Sequence, residues 1–248
     1  MTLEPAVEHE PATAEVDAQA VQVSVVVPVY DEVENVGPLA EELHTALRST
    51  ERSYELVFVD DGSKDGTGDA CRALEGVRLV SLARNQGQSA ATVRGIREAR
   101  GAWIVTLDGD RQNDPASIPA LFEALRDHDV AVGFRTKRHD SWSRRLASRV
   151  AYRVRNLVLG DGIVDIGCSL RVFPREVGLR LPAFDGLHRL MPALFVFYGL
   201  KVAQVPTLHR ERPAGISKYG NMRRGLRGLF DLMGLLWLKR RLLPVHER

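Results

Sequence analysis

The sequence has little cysteine: Cys71 and Cys168 are the only two thiols in 248 residues. Two isolated cysteines form neither a disulfide framework nor the paired spacing of a zinc site. A single disulfide stays compatible with the sequence, but so few cysteines are typical of a reducing compartment. We therefore expect both thiols to be reduced.

Long apolar runs are also missing. The closest candidate, from Gly228 to Leu238, contains Asp231 and is about half as long as a membrane-spanning helix of roughly 20 residues. The N-terminus has no basic start followed by an apolar core, which argues against a secretory signal. We expect the chain not to cross a bilayer, although it can still lie on the surface of one.

Three motifs of common enzyme classes are absent. Without G-x-x-x-x-G-K-[ST], and without G-x-G-x-x-G after the first strand, a P-loop kinase and an ordinary dinucleotide enzyme lose support. No G-x-S-x-G supplies a nucleophile elbow. Residues 61–66 resemble the start of an EF-hand loop, but Arg72 stands where that loop needs a glutamate.

The charge is balanced overall but unevenly distributed. The net charge is +2, with 44% hydrophobic and 27% charged residues, the composition of a soluble globular protein with one large domain or two small ones. The later half is basic in patches. Residues 1–20 have no Lys or Arg, which predicts a disordered acidic tail carrying Glu4, Glu8, Glu10, Glu15 and Asp17.

The first half of the chain alternates strand and helix patterns. Strands are predicted at Gln22–Val29, Tyr54–Val59, Val77–Leu82, Trp103–Leu107 and Val130–Phe134. Helices are predicted at Glu34–Leu47, Asp69–Leu74, Ser89–Ala99 and Ser117–Leu125. This order predicts an α/β fold with a largely parallel sheet and helices on both faces.

After Gly133 the pattern changes. Ser143–Leu159 has one apolar arc beside a stripe of Arg145, Arg149 and Arg153, which predicts a basic amphipathic helix. Short strands at Val172–Pro174 and Lys201–Val205 flank an apolar helix at Leu190–Phe197. The segment from Asn221 to Leu243 joins arginines to an apolar stretch. For the first helix the alternative is an ordinary surface helix packed on the sheet. The C-terminal segment suits a membrane interface with anionic lipid, and its alternative is a terminal helix packed on its own domain or on a dimer partner.

The acidic turn after the fourth strand is the strongest candidate for chemistry. Asp108 and Asp110 are separated by Gly109 and followed by Gln112, so oxygen ligands stand at the end of a buried strand. Such carboxylates hold Mg²⁺ when a substrate phosphate completes the coordination. The alternative is a solvated turn, with Asp114 capping the helix that starts near Pro115.

Polar clusters also follow the first three strands, at residues 28–35, 60–67 and 84–87. Each cluster alone is compatible with a plain turn. The carboxyl ends of parallel strands share one edge of a sheet, and ligands bind in the crevice there. Together with the acidic turn, these clusters predict one composite pocket.

Seven motifs in this order resemble a known family: PVYDEVEN, VDDGSKDGT, RNQG, DGDRQNDP, GFR, DIGCSLRVF and ERPAGISKY. The sequence from Val23 to Tyr219 is similar to the family 2 inverting glycosyltransferases with a GT-A fold, and most similar to their polyprenyl-phosphate branch. That branch includes dolichyl-phosphate mannosyltransferase and undecaprenyl-phosphate sugar transferases. The resemblance implies a GT-A-like, Rossmann-type domain at residues 21–207, followed by a basic, membrane-apposed segment at residues 208–248.

The resemblance implies an activity and a set of partners. A sugar would move from a nucleotide-sugar donor, GDP-mannose or a UDP-sugar, to polyprenyl phosphate, with inversion at the anomeric carbon. The enzyme would be peripheral on the cytoplasmic membrane face, with Mg²⁺ or Mn²⁺ as cofactor. Transfer to a soluble or cell-wall hydroxyl acceptor is the alternative. A nucleic-acid-binding protein with basic patches is disfavoured, because the acidic cluster would repel phosphate.

The resemblance also assigns residues. Asp108 would contact ribose or the sugar, and Asp110 with Gln112 would hold the metal. Asp110 and Asp165 are the catalytic candidates, with Asp165 as base or acceptor orienter, although a structural role fits Asp165 too. The nucleotide-binding candidates are Pro28, Tyr30, Glu32, Asp60, Asp61 and Asp108. The candidates for the acceptor phosphate are Arg135, Arg149, Arg212 and Lys218, because Arg offers a bidentate fork to phosphate.

Three positions depart from the usual family pattern. Asp31 stands where Asn is usual, Gln88 where Lys often follows Asn-x-Gly, and Gly109 where Ala is common. These departures concern sugar or nucleotide selectivity rather than the fold. His188 has no assigned chemistry, and we interpret it as a structurally satisfied histidine.

Overall fold

The computed structural model describes residues 21–136, 152–153, 155–210 and 221–241. Within the last range, side chains are described from residue 230 onward. The predicted acidic tail, most of the predicted Ser143–Leu159 helix, and the ERPAGISKY motif lie outside these ranges.

A seven-stranded, mostly parallel sheet forms the centre of the domain, in the order β3-β2-β1-β4-β6-β5-β7. The strands are β1 Val23–Val29, β2 Tyr54–Asp60, β3 Val77–Ser81, β4 Trp103–Thr106, β5 Val130–Arg135, β6 Arg171–Pro174 and β7 Val202–Thr207. β1 pairs in parallel with β2 and β4, and β5 with β7. The predicted α/β class with a largely parallel sheet is therefore confirmed.

One strand runs against the others. β6 is antiparallel to β4 and to β5. Its amino end therefore lies at the same edge as the carboxyl ends of the parallel strands. The segment before β6, residues 165–170, is thereby brought to the edge where the sequence predicts the pocket.

The helices with described bounds are α1 Val33–Arg48, α2 Thr67–Ala73, α3 Gln88–Glu98, α4 Ile118–Ala124, α5 Arg175–Arg180, α6 Leu187–Phe197 and α7 Asn221–Lys239. Residues 155–159, at the end of the predicted Ser143–Leu159 helix, are helical as well. A 3₁₀ turn at Pro115–Ser117 precedes α4, and the side chain of Asp114 accepts a hydrogen bond from the Ala116 amide. The predicted Asp114 cap is thus present. α5 was not predicted, because its six residues are too short to show a helical period.

Alternation along the strands divides the apolar side chains between two faces of the sheet. Val25 and Val27 of β1 belong to the cluster that packs with α1, α2 and α4. Val26 belongs to the opposite cluster, with α3, α5 and α6. Both faces are covered, which explains why the strands are continuous apolar runs rather than alternating ones.

The C-terminal helix α7 is half packed. Leu235 is buried against the α6 side of the core, whereas Phe230, Met233 and Trp237 are exposed by 73%, 63% and 63%. In the part of the chain that the structure describes, no helix combines the length and the apolar character needed to span a membrane. The side chains of Arg223, Arg224 and Arg227 are not described, so the basic character of the first half of α7 stays a prediction.

Candidate functional site

A cavity of about 480 Å³ opens at the edge of the sheet where β1, β2 and β4 end. All four predicted clusters contribute to its lining, which includes residues 28–30, Glu32, Asp61, Asn85, Gly87, residues 108–110, Gln112 and Asn113. The far side is closed by Arg135 at the end of β5, Gly167 before β6 and His209 after β7. The clusters therefore meet in one composite pocket, as the sheet-edge argument predicted.

Most of the predicted nucleotide-binding residues lie in this lining, namely Pro28, Tyr30, Glu32, Asp61 and Asp108. Asp60 is not part of the lining. Its Oδ1 accepts from the Ser63 amide at 2.9 Å, and its Oδ2 lies 2.7 Å from the position that a Cβ on Gly68 would take. The structure therefore places Asp60 in the support of the loop after β2.

Asp61 connects two of the loops. Its two carboxylate oxygens accept from the backbone amides of Gln86 at 2.7 Å and Gly87 at 2.8 Å. Gly62 has φ +73°, and a Cβ there would lie 2.7 Å from the carbonyl carbon of Arg84. The loops after β2 and β3 can approach this closely only because Gly62 has no side chain. The wall of the pocket is thus held by a buried carboxylate.

The acidic turn is held by contacts from three directions. Asp108 Oδ1 accepts from Gln88 Nε2 at 2.6 Å, and the Asp108 amide donates to Ser169 Oγ at 3.0 Å. A Cβ on Gly109 would lie 2.7 Å from Val29 Cγ1, so the turn packs directly on the end of β1. Asp110 Oδ1 accepts from the Gln112 amide at 3.1 Å.

The two carboxylates of this turn repel each other. Burial, followed by the neighbouring charge of Asp110, raises the pKa of Asp108 to about 6, against the opposing effects of Ser169, Arg171 and Gln88. A cation shared by both carboxylates would remove this repulsion. The turn is therefore an unfavourable arrangement by itself and a favourable one for binding a divalent ion.

The donor set fits Mg²⁺ or Mn²⁺. Asp110 and Gln112, the predicted ligands, line the cavity beside Asp108, and all three offer oxygen atoms. Among the described residues, no group of three or more His, Cys, Asp or Glu side chains is arranged around one point. Mg²⁺ commonly takes only one or two carboxylates from a protein and its other ligands from water and substrate phosphates. The residues present fit that mode.

Arg135 and Asp165 form a bidentate ion pair at the rim. Arg135 Nε donates to Asp165 Oδ2 at 2.7 Å, and Arg135 Nη2 donates to Oδ1 at 2.8 Å. The Asp165 side chain is 4% exposed and that of Arg135 is 22% exposed. With both oxygens engaged, Asp165 orients the guanidinium at the cavity. The other predicted acceptor residues, Arg149, Arg212 and Lys218, lie outside the described residues.

The sequence did not indicate several residues of the site. Gln88 stood out only as a departure from the family pattern, and its bond to Asp108 was not expected. His209 follows β7, so the rule that sites form at strand ends could have identified it. Arg171 is 2% exposed and donates to the carbonyls of Cys168 and His188, which ties the segment before β6 to α6.

His188 lies as interpreted from the sequence. Its Nδ1 is 2.7 Å from Ser89 Oγ, which also accepts from the Gly186 amide. Burial, with Arg189 and Arg171 nearby, lowers the pKa of His188 to about 4. A histidine that is neutral at physiological pH and hydrogen-bonded inside the fold has a structural role.

Comparison with known proteins identifies relatives. The model of glycosyl transferase family 2 matches residues 24–178. The chain is 36% identical over 232 residues to the dodecaprenyl-phosphate galacturonate synthase of Rhizobium johnstonii, covering 90% of this chain and 68% of that protein. It is also 36% identical over 206 residues to the undecaprenyl-phosphate 4-deoxy-4-formamido-L-arabinose transferase of Aeromonas hydrophila, covering 81% of this chain and 63% of the relative. The chain thus spans about two thirds of the length of these relatives.

Solved structures share the fold. Mannosyl-3-phosphoglycerate synthase from Rubrobacter xylanophilus superposes with a TM-score of 0.69 at 17% identity, covering 92% of this chain and 77% of that one. Glucosyl-3-phosphoglycerate synthase from Mycobacterium tuberculosis, in complex with Mn²⁺ and UDP-glucose, superposes with a TM-score of 0.65 at 22% identity, covering 86% and 79%. The architecture is that of the GT-A glycosyltransferases, as the sequence motifs implied.

Proposed function

The chain belongs to glycosyl transferase family 2, and from that membership we propose that it transfers a sugar from a nucleoside diphosphate sugar to a polyprenyl phosphate. The donor would be GDP-mannose or a UDP-sugar. The acceptor phosphate oxygen attacks the anomeric carbon while the bond to the nucleoside diphosphate breaks. This single displacement inverts the configuration at that carbon.

The observation that carries the proposal is the composition of the 480 Å³ cavity. Its lining joins the buried carboxylate of Asp61 to the acidic turn of Asp108 and Asp110 across one sheet edge. A nucleoside offers hydrogen-bond donors to the carboxylate of Asp61. A divalent ion held at the acidic turn would supply the positive charge that a diphosphate needs. The two relatives are named for dodecaprenyl phosphate and undecaprenyl phosphate, and these names favour a polyprenyl phosphate acceptor.

On the donor side, we assign binding of the nucleoside to Tyr30, Glu32 and Asp61. Asp108, which accepts a hydrogen bond from Gln88, would accept another from a hydroxyl of the ribose or the sugar. A divalent ion, Mg²⁺ or Mn²⁺, would be held by Asp110 and Gln112 and would act as a Lewis acid for the leaving diphosphate. Asp110 is 8% exposed, so its charge is screened little by water.

On the acceptor side, a phosphate oxygen is already anionic near neutral pH. A strong general base is therefore less necessary than for a hydroxyl acceptor, and cationic positioning matters more. Arg135, which is paired with Asp165 and lines the cavity, would supply this cation. Arg149, Arg212 and Lys218 are the further candidates for the phosphate clamp.

We also propose that the enzyme reaches its lipid substrate by lying on the cytoplasmic membrane face. The exposed side chains Phe230, Met233 and Trp237 follow one another at helical spacing along α7. Lys239, Arg240 and Arg241 are exposed at its end. Apolar side chains beside cations suit the interface of an anionic bilayer.

The membrane proposal predicts that Trp237→Glu abolishes co-sedimentation with anionic phospholipid vesicles. Leu179→Glu is the matched control, because Leu179 is an apolar side chain on α5 that is 45% exposed. Equal vesicle binding by Trp237→Glu and the wild-type chain would contradict this use of α7.

A transfer assay tests the reaction. Radiolabelled GDP-mannose and UDP-sugars are each incubated with the enzyme and a polyprenyl phosphate, with and without Mn²⁺. We expect label to move into the organic phase only with metal, and not with Asp110→Ala. Asp69→Ala is the control, because the Asp69 side chain is a carboxylate on α2 with 87% exposure. If the enzyme binds the nucleotide sugar but no label reaches the lipid, a hydroxyl acceptor is favoured. Asp165 would then act as the general base.

A further inference from the structure

We propose that Glu42 is a positioning residue for the donor site. It lies on α1, outside the cavity lining, and joins the acidic turn after β4 to the segment after β7 through two arginines. The inference rests on the proposed function only in taking the acidic turn as the donor site. The contacts themselves are independent of it.

One carboxylate serves two cations. Glu42 Oε1 lies 2.6 Å from Arg111 Nη2, and Glu42 Oε2 lies 2.6 Å from Arg210 Nη1. The side chains of Glu42 and Arg111 are 25% and 24% exposed, so water screens this pair less than an open surface pair. Substitution of Glu42 therefore removes both connections at once.

Arg210 also bonds to the acidic turn directly. Its Nη2 lies 2.8 Å from Asp114 Oδ1, and its amide donates to the Gln112 carbonyl at 2.8 Å. A β-bridge joins Asn113 to His209. The turn and the segment after β7 are thus joined by backbone and side-chain contacts, and Glu42 anchors both of them to α1.

The backbone of Arg111 explains why an anchor is needed there. Its φ of +59° lies in the left-handed region, which a residue with a side chain rarely adopts. Arg111 stands between Asp110 and Gln112, so its backbone conformation sets the directions in which those two side chains leave the chain. The ion pair with Glu42 stabilises this strained backbone conformation of Arg111. The conformation in turn orients the candidate metal ligands on either side.

Glu42 is thus a single clamp on Arg111 and Arg210, and through them it holds the acidic turn and residue 210 together. We expect its loss to weaken donor binding without unfolding the domain.

Hydrogen exchange tests the clamp without reference to activity. In the full chain, Glu42→Gln keeps the side-chain shape and removes its charge. We expect the Arg210 amide and the amides of residues 110–114 to exchange about five-fold to ten-fold faster, with the remaining sheet amides unchanged. Glu41→Gln is the matched control, because Glu41 is the adjacent, exposed glutamate on α1.

Arg111→Gly is a second variant, and its expected result separates the clamp from general destabilisation. Glycine relieves the strain at φ +59° but removes the ion pair with Glu42. We expect a melting temperature close to that of the wild-type chain together with faster exchange in residues 110–114. Unchanged exchange in both Glu42→Gln and Arg111→Gly overturns the inference.

Calorimetric titration with UDP and with GDP, each in the presence of Mn²⁺, connects the clamp to the donor site. Glu42→Gln should raise the Kd about five-fold to ten-fold at an unchanged melting temperature, while Glu41→Gln should not change it. A wild-type Kd retained by Glu42→Gln overturns the positioning role. If the wild-type chain binds neither nucleotide, the proposed function fails, whereas faster exchange confined to these segments still supports the clamp.

Discussion

The ion pair between Arg135 and Asp165 predicts a pattern of mutant effects that distinguishes two roles for Asp165. If Asp165 orients Arg135 for an acceptor phosphate, the two residues act as one unit. If Asp165 removes a proton from a hydroxyl acceptor, it acts separately from Arg135. The perturbations are Asp165→Asn, Arg135→Gln and the double variant.

The expected cost to stability follows from burial. Removing one partner of a buried ion pair typically costs about 3–5 kcal/mol, because the other charge is left buried. Asp165 is 4% exposed, but Arg135 is 22% exposed and its freed guanidinium can reach water. Asparagine also keeps one acceptor oxygen. We therefore expect Asp165→Asn to lower the free energy of unfolding by about 2 kcal/mol, measured by urea denaturation.

The expected effect on transfer follows from the shared contact. Each single variant should lower kcat/KM for polyprenyl phosphate by about 10-fold to 100-fold, equivalent to about 1.4–2.7 kcal/mol of transition-state stabilisation. The double variant should be no slower than the slower single variant, because either substitution already breaks the pair. KM for the nucleotide sugar should change little.

The assay is transfer of labelled sugar to polyprenyl phosphate over a range of pH. A loss in Asp165→Asn far beyond that in Arg135→Gln, together with loss of the acidic limb of the pH profile, would identify Asp165 as a general base. Additive losses in the double variant would refute the reasoning as well, because a shared ion pair requires non-additivity.

Three further predictions concern other parts of the molecule. Asp110→Ala should lower transfer by about a thousand-fold or more and remove the response to Mn²⁺, and full activity in this variant would exclude Asp110 as a ligand. Cys71 and Cys168 should resist iodoacetamide at pH 8 until the chain is unfolded. Burial raises the pKa of Cys71 to about 12 and also raises the pKa of Cys168. Rapid labelling of the folded chain would contradict this prediction. The pKa of His188 is lowered from 6.5 to about 4, so between these pH values His188 binds fewer protons in the folded than in the unfolded state. The free energy of unfolding should therefore fall as the pH falls from 6.5 to 4, by up to about 3 kcal/mol. The same pH dependence in His188→Asn would show that another group is responsible.

The order of strands and helices followed from local patterns. Val-rich runs such as β1 and the helical spacing of α1 are properties of neighbouring residues, so they are visible without the fold. The position of the pocket followed from one further rule, that parallel strands end at a common edge. The acidic turn at Asp108 and Asp110 was located in this way before any contact was known.

The direction of β6 could not be predicted in this way. A four-residue strand has no local feature that distinguishes parallel from antiparallel pairing. Its reversal brings Gly167 to the cavity and Asp165 to Arg135. The length of the segment before β6, residues 165–170, is likewise compatible with either edge of the sheet.

Sequence patterns are enough to establish the class of the fold, the family and the four polar clusters that meet at the pocket. The contacts between the side chains of these clusters depend on the tertiary structure. Gln88 bonds to Asp108 across 20 residues, Arg135 to Asp165 across 30, and Arg210 to Glu42 across 168. Periodicity and motif spacing describe how residues follow one another along a strand or a helix. These pairings depend instead on how distant elements pack, and they decide whether a charged side chain is held, shared or available to a substrate.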